Sequence, residues 1–222
     1  MSGGQRTIAV IGGTGAEGSG ISLRLAKAGH RVVIGSRDAA KAAAVAAELN
    51  AIIGTENITG LDNNAAAAAA EIAILTVPYA AQVPTAEGIR AELAGKILVD
   101  ATAPLVPPKV SRVQLPPEGS AVAALQARLG DQIRVVSALQ NVSAVKLRRI
   151  EEDVGCDVLV CADDSAARQT IIDLLTGIGL RGIDAGPLAN SAAAEALTSV
   201  LIWINRKYKV PGAGIRITGL EE

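Results

Sequence analysis

The sequence predicts an α/β protein, a doubly wound parallel sheet covered by helices, with a small C-terminal α/β annex. Three observations carry that expectation. Short β-branched runs alternate with apolar residues at helical spacing through the first hundred or so residues. The strand segments are continuously apolar rather than alternating, which means burial on both faces. Finally, 50% of the 222 residues are apolar, with 23 glycines, no Phe, and Tyr79, Trp203 and Tyr208 as the whole aromatic complement. A core of Ala, Val, Ile and Leu suits closely packed strand and helix layers.

Each element has its own reason. Thr7–Ile11 is a β-branched strand that stops at Gly12-Gly13, and Ile21, Leu25 and Ala28 then recur at helical spacing until Gly29-His30 closes the helix. Arg31–Gly35 is a second strand. Asp38 N-caps an alanine-rich helix to about Asn50, alanine having the best helix propensity. Ile58-Thr59 makes a short third strand, Asn63–Ala70 a helix, Glu71–Val77 a fourth strand, Ala80–Ala94 a helix and Lys96–Ala101 a fifth strand. Five of the nine prolines then fall between Pro104 and Pro117, an excursion loop, since proline removes donors and fixes φ. Ala121–Leu129 returns to helix and Ile133–Leu139 to strand. Val158–Val160, a helix after the cap Asp163-Asp164-Ser165, and Leu180–Ile183 form one further unit. A last helix spans Ser191–Tyr208 before a Gly-rich tail. The expected division is a nucleotide-binding domain over 1–145 and a C-terminal subdomain over 146–222.

Composition excludes several functions. Lys plus Arg is 21 and Asp plus Glu 22, a net charge of -1, which gives no electrostatic footprint for nucleic acid or an anionic membrane. Three scattered rings cannot build a base-stacking platform. The apolar window Ala65–Val83 is interrupted by Glu71, Thr76, Pro78 and Gln82, and reads as helix then strand rather than a membrane span. Met1–Arg6 is too short and polar for a signal peptide. Cys156 and Cys161 lie on opposite faces of a strand-like run and cannot pair, which reads as reduced core thiols in a cytoplasmic protein. One His and two Cys do not make a metal site.

The glycine segment carries chemistry. Gly13, Gly15 and Gly18 form G-x-G-x-x-G between a strand and a helix, the context in which that spacing means a Rossmann-type pyrophosphate loop. The helix start supplies free N–H groups and a positive dipole end. Eighteen residues past Gly18 stands Ser36, followed by Arg37 and then Lys41, where an NAD site would carry a carboxylate. A hydroxyl and two cations grip a ribose 2′-phosphate instead. Two partly exposed charge-assisted bonds contribute on the order of 2–3 kcal/mol, a preference for NADP of roughly 30- to 150-fold.

A general acid is missing. His30 sits in a turn away from the strand ends, and Asp100 ends the fifth strand, where it caps a turn as readily as it approaches a site. Hydride transfer to a delocalised acceptor needs proximity and orientation more than proton chemistry. The strand-end segments Thr76-Val77-Pro78, Ala101-Thr102-Ala103-Pro104 and Ala138-Leu139-Gln140-Asn141-Val142-Ser143-Ala144 are small or neutral, and admit two flat rings face to face.

Ile8–Gly15, Ile34-Gly35-Ser36-Arg37, Leu75–Pro78, Val136–Leu139 and Asp184-Ala185-Gly186-Pro187-Leu188 together resemble the NADPH-dependent coenzyme F420 reductase family, from Thr7 to near Ile217. The resemblance implies a dimeric cytoplasmic enzyme moving hydride reversibly between nicotinamide and the deazaflavin, with no prosthetic group. It places NADP on Thr14, Gly15, Ala16, Glu17, Ser36, Arg37 and Lys41, with Thr76, Val77, Ala103 and Ala144 flanking the nicotinamide. Gln140 and Val142 would lie under the deazaflavin as the catalytic pair, with Ala213 of the tail closing over it. The family has His where this chain has Gln140, which cannot titrate near neutral pH, so a flat rate profile across about pH 6–8 is expected for the chemical step. Two alternatives stay open on the residues alone. One is an NADP-dependent reductase of a hydroxyacid or pyrroline-carboxylate type, served by Lys109 or Lys146. The other is an NADP-binding sensor without turnover. Trp203 and Tyr208, with Leu197, Leu201 and Ile204, read as core, and the same helix is apolar enough for a dimer seam.

Overall fold

The computed structural model describes residues 4–220. Six parallel strands form the main sheet: β1 (Thr7–Ile11), β2 (Arg31–Ser36), β3 (Ile58–Asp62), β4 (Ile72–Leu75), β5 (Ile97–Asp100) and β6 (Arg134–Ser137). Their order is β3-β2-β1-β4-β5-β6, a Rossmann arrangement whose winding reverses between β1 and β4 and opens a crevice at the strand C-termini. Alternate residues of each strand feed opposite cores. Ile8, Val10, Val32 and Ile34 pack on one face, while Ala9, Ile11, Val33 and Leu75 pack on the other. Burial on both faces is why these strands read as unbroken apolar runs.

Helices α1 (Ala16–Lys27), α2 (Ala39–Ile53), α3 (Asn63–Ala69), α4 (Tyr79–Gly88) and α5 (Ala121–Leu129) connect the strands. Asp38 Oδ1 caps α2 by accepting from Lys41 N at 3.1 Å, as its position before an alanine run predicts. The expected helix over Ala80–Ala94 is shorter. It ends as α4 at Gly88 and continues as turns, although Ile89 and Leu93 keep helical spacing because both are buried in the core. The short helix α6 (Ala144–Arg148) was not anticipated, since five residues show no period. The stretch 101–120 is loop and turn, as its prolines require.

The annex is a parallel pair, β7 (Asp157–Val160) and β8 (Arg181–Asp184), joined by α7 (Ser165–Gly177) and followed by α8 (Ser191–Tyr208). It meets the main sheet through an antiparallel bridge, Ser137 N to Cys161 O at 2.8 Å and Cys161 N to Ser137 O at 3.0 Å. Both cysteines are buried and unpaired, and burial pushes both thiols up, Cys161 to about 11, which disfavours the reactive thiolate. The tail is pinned along β7, with Asp157 N donating to Ile215 O at 2.8 Å and Ile217 N to Asp157 Oδ2 at 2.6 Å. Trp203 and Tyr208 are not core: they are 59% and 69% exposed on the outer side of α8. Among the described residues no helix is long and apolar enough to cross a membrane.

Candidate active site

A cavity of about 1620 Å³ opens at the C-terminal ends of β1, β2, β4, β5 and β6, larger than the roughly 300–1,000 Å³ usual for one drug-sized ligand. Its volume suits two molecules side by side. The crevice begins at the glycine loop. Gly12, at φ +77, turns the chain out of β1, and Thr14, Gly15 and Ala16 line the cavity. No side chain caps α1, so its first-turn N–H groups are left for an anion. Gly13 and Gly18 serve packing instead. A Cβ on Gly18 would lie 2.6 Å from Gly13 Cα and 2.7 Å from Thr76 Oγ1, and one on Gly13 would lie 2.7 Å from Val10 O. Gly13 therefore supports the loop from beneath and does not line the cavity.

At one end of the cavity Ser36, Arg37 and Lys41 come together. Arg37 and Lys41 are exposed, and neither forms an ion pair among the described residues, so both cations are available to a phosphate. At the other end Thr76, Val77, Ala103, Val142 and Ala144 form a neutral wall, and Ala213 reaches it from the tail. Ala213 is held there by its N–H donating to Asn205 Oδ1 at 2.7 Å. The residues fit a dinucleotide phosphate: uncapped helix start, close glycine turn and unpaired cations lie in one groove.

Gln140 belongs to the floor of this neutral end. Leu139 just before it has φ +79, a left-handed conformation that costs a non-glycine residue about 1–3 kcal/mol and turns the chain sharply off β6. The Gln140 amide is fixed in direction because Nε2 donates to a main-chain carbonyl, Asp100 O, at 2.8 Å, and to Ser137 Oγ at 2.8 Å. Ser191 Oγ donates to Glu195 Oε1 at 2.7 Å, so Ser137 Oγ must be the donor in its 2.7 Å contact with Ser191 Oγ. A directed chain thus runs from Gln140 to a buried carboxylate. Glu195 also accepts from Ser120 Oγ at 2.6 Å, Ala121 N at 2.7 Å and Val122 N at 3.3 Å, and so closes the N-terminus of α5. Thr198 Oγ1 holds the Gln140 main-chain oxygen at 2.8 Å. Gln140 Oε1 is left as a buried acceptor with no protein partner.

Asp100 is fully buried and is a turn cap, Oδ1 accepting from Thr102 N at 2.9 Å and Oδ2 from Gln82 Nε2 at 2.5 Å. Burial pushes its carboxyl up to about 6, against the pull of those donors. Glu17 lines the cavity from α1, and burial, followed by the charge of Asp100, pushes it up to about 8. A flat pH profile is expected of Gln140 alone, and Glu17 is the cavity-lining carboxyl whose proton affinity burial raises. His30 is structural, its Nδ1 accepting from Arg6 N at 3.3 Å, with burial holding it below the usual imidazole range. Among the described residues no three His, Cys, Asp or Glu side chains gather as a metal site.

Sequence reasoning missed Ser137, Ser191, Glu195 and Thr198, which lie on β6 and α8 and meet only through the fold. Asp184-Ala185-Gly186-Pro187-Leu188 is the segment that seats them. Leu188 N donates to Asp163 Oδ1 at 2.9 Å and Ala162 N to Gly186 O at 3.1 Å, fixing where α8 begins.

Comparison with known proteins agrees with this geometry. The family model described as NADP oxidoreductase coenzyme F420-dependent matches residues 7–104. The F420-dependent NADP reductase of Methanocaldococcus jannaschii is 42% identical over 96% of this chain and 99% of its own length. The enzyme of the same name from Methanothermobacter thermautotrophicus is 42% identical over 97% and 96%. A crystal structure from Arthrobacter sp. FB24, provisionally described as an F420-dependent NADP-reductase, superposes with a TM-score of 0.80 at 26% identity, covering 97% of this chain and 100% of that one. The hydroxyacid, pyrroline-carboxylate and sensor alternatives are not favoured by these likenesses. The chain belongs to the F420-dependent NADP reductase family.

Proposed function

We propose that the protein transfers hydride reversibly between NADPH and coenzyme F420, both bound as co-substrates in the one cavity. The observation that carries this is full-length membership of the reductase family, joined to a cavity whose cationic end and neutral end lie along one groove. The overall exchange is NADPH + F420 + H⁺ ⇌ NADP⁺ + F420H₂, the dihydronicotinamide supplying the hydride that the deazaflavin accepts.

The chain's part is to bind and orient. The α1 start and glycine loop hold the pyrophosphate, and Ser36, Arg37 and Lys41 hold the 2′-phosphate. Thr76, Val77, Ala103 and Ala144 shape the nicotinamide side. Gln140 and Val142 form the floor of the deazaflavin side, with Ala213 at its rim. Aligning two planar rings lowers the barrier through orientation, without a general acid at the accepting carbon.

We place the division between a dinucleotide domain and a C-terminal subdomain at 145/146, since 7–137 contribute the six-stranded sheet and 157–184 the two-stranded one. The protein is assigned to the cytoplasm on its two unpaired thiols. It is assigned as a homodimer on the exposed apolar side of α8. The function is tested by mixing NADPH, oxidised F420 and catalytic amounts of protein. Rapid loss of deazaflavin absorbance, much slower with NADH, is expected. Absence of bleaching with NADPH demonstrably bound would reject F420 as the acceptor.

A further inference from the structure

Part of the cavity rim carries a charge that neither the dinucleotide phosphates nor ring packing accounts for. The proline-rich loop and α8 with its tail both line the cavity. Residues 101–117 and 196–220, which make up those segments, hold six of the chain's 21 cationic side chains and none of its 22 acidic ones. Three of the six converge. In the loop, Lys109 N donates to Val106 O at 3.1 Å and Arg112 N to Lys109 O at 3.0 Å, while Gln114 Nε2 donates to Val106 O at 3.3 Å and Lys109 O at 3.2 Å. These bonds fold 106–114 into successive turns and set Lys109 and Arg112 one turn apart. Arg206 Nη1 on α8 then donates to Ser111 Oγ at 3.3 Å, beside Arg112. All three cations are exposed, and none forms an ion pair among the described residues. Like charges gathered this way repel one another, and an anion between them removes that cost. Their neighbours place them at the cavity. Val110 follows Lys109 and lines it, as do Leu105 and Pro107, and Arg206 shares a helix face with Ile202, which lines it from the other side. Arg216 is set aside because it faces Asp153 at 4.0 Å. Lys207 is set aside because it lies four residues from Trp203, on the outer side of α8.

We propose that Lys109, Arg112 and Arg206 form a subsite for an anionic chain carried by the hydride acceptor, the phosphodiester and carboxylates that extend from the ribityl arm of the deazaflavin. The subsite rests on the reading above, in which F420 is the second co-substrate of the cavity. All three residues lie beyond residue 104, where the match to the family model ends. They also belong to different elements from Arg37 and Lys41, which leaves the dinucleotide phosphates a cationic group of their own. A ring resting on the neutral wall at Ala103 and Val142 can send its arm out along Leu105, Pro107 and Val110, and the arm then meets the three cations. Two guanidinium forks suit a phosphodiester, and the Lys109 ammonium suits a carboxylate as a point charge. Exposure keeps each contact weak and salt-sensitive, so the subsite adds affinity and speeds encounter without fixing a single geometry.

The test is steady-state kinetics at low ionic strength with two acceptors, F420 and the deazaflavin that stops at its ribityl hydroxyl and so carries no anionic chain. Lys109→Glu combined with Arg112→Glu should raise KM for F420 about tenfold and leave KM for the truncated deazaflavin and for NADPH within about twofold. Arg206→Gln, which keeps a donor for Ser111 and removes the charge, should raise KM for F420 alone by about threefold. Salt at about 0.5 M should bring the unsubstituted chain and the double variant together on F420. An equal rise for both acceptors would show that the residues shape the loop, and would overturn the subsite. A rise for NADPH as large as that for F420 would assign the cations to the dinucleotide and overturn it as well. If the unsubstituted chain turns over both acceptors with the same KM, the subsite falls while the hydride-transfer reading stands. Turnover of neither acceptor with NADPH bound would overturn that reading and the subsite with it.

Discussion

Arg37 and Glu17 both line the one groove, and each has an expected consequence of its own. Arg37 is exposed and unpaired, so removing it should cost the fold nothing and the cofactor a charge-assisted bond. Arg37→Ala should raise KM for NADPH about tenfold while moving KM for NADH less than about twofold. Equal effects on both would show that another group reads the 2′-phosphate. Glu17 and Asp100 also tie stability to pH. Both carboxyl groups hold their protons more tightly folded than unfolded, Asp100 to about 6 and Glu17 to about 8. Between about pH 4 and 8 these two groups bind more protons in the folded chain than in the unfolded one and outweigh the opposite contribution of the single His30, so stability falls as pH rises. The unliganded protein should lose Tm steadily across that interval. Glu17→Gln should flatten the upper half, raising Tm near pH 8.5 by roughly 2–4 °C, the return for about 1 kcal/mol in a chain of this size. A Tm that rises from pH 5 to 8 would contradict the placement of both groups.

The elements differ in how plainly the sequence announces them. β1, β4 and β5 were legible because two-sided burial leaves an apolar run with nothing polar to interrupt it. The glycine loop was legible because Gly12, Gly13 and Gly18 answer to local sterics. The floor of the site was not. Ser137, Ser191 and Glu195 are ordinary polar residues of a strand and a helix, and only the docking of α8 by 184–188 turns them into one directed chain that starts at Gln140 and ends at Glu195. Periodicity also misled at two places. Ile89 and Leu93 extended an apparent helix past Gly88 because burial, not backbone, kept their spacing, and Trp203 looked like core because large rings usually are. The chain of hydroxyls has a measurable role. Ser191→Ala leaves Ser137 Oγ without its acceptor and frees the Gln140 amide, so KM for F420 should rise several-fold with KM for NADPH unchanged. In a Gln140→Met background the same substitution should no longer alter KM for F420, while its cost to Tm, from about 1–3 kcal/mol of unpaired buried donor, persists. A KM effect of equal size in both backgrounds would mean that Ser191 acts on the fold and not through Gln140.

At the scale of the whole molecule, α8 links the site to the surface. Its inner side carries Ala194, Glu195, Ser199 and Leu201 into the core, whereas Val200 at 43%, Trp203 at 59% and Tyr208 at 69% stand exposed on the other. Val106 and Val113 of the proline-rich loop are exposed as well, and Arg206 Nη1 reaches that loop at Ser111 Oγ, 3.3 Å away. A chain with only three aromatic rings leaves two of them in water on one helix, which is costly unless a second surface covers them. A second copy of α8 offers the same apolar side, as a two-fold interface requires. Light scattering should therefore give the mass of two chains, and Trp203→Glu the mass of one. Trp203 is the only tryptophan, so its fluorescence reports the same event without a label. Emission from the intact protein should be blue-shifted relative to Trp203 in water and should move to the red on dilution through the dissociation range. A single-chain mass together with red emission at every concentration would remove the dimer, and with it the reason given for the exposed rings.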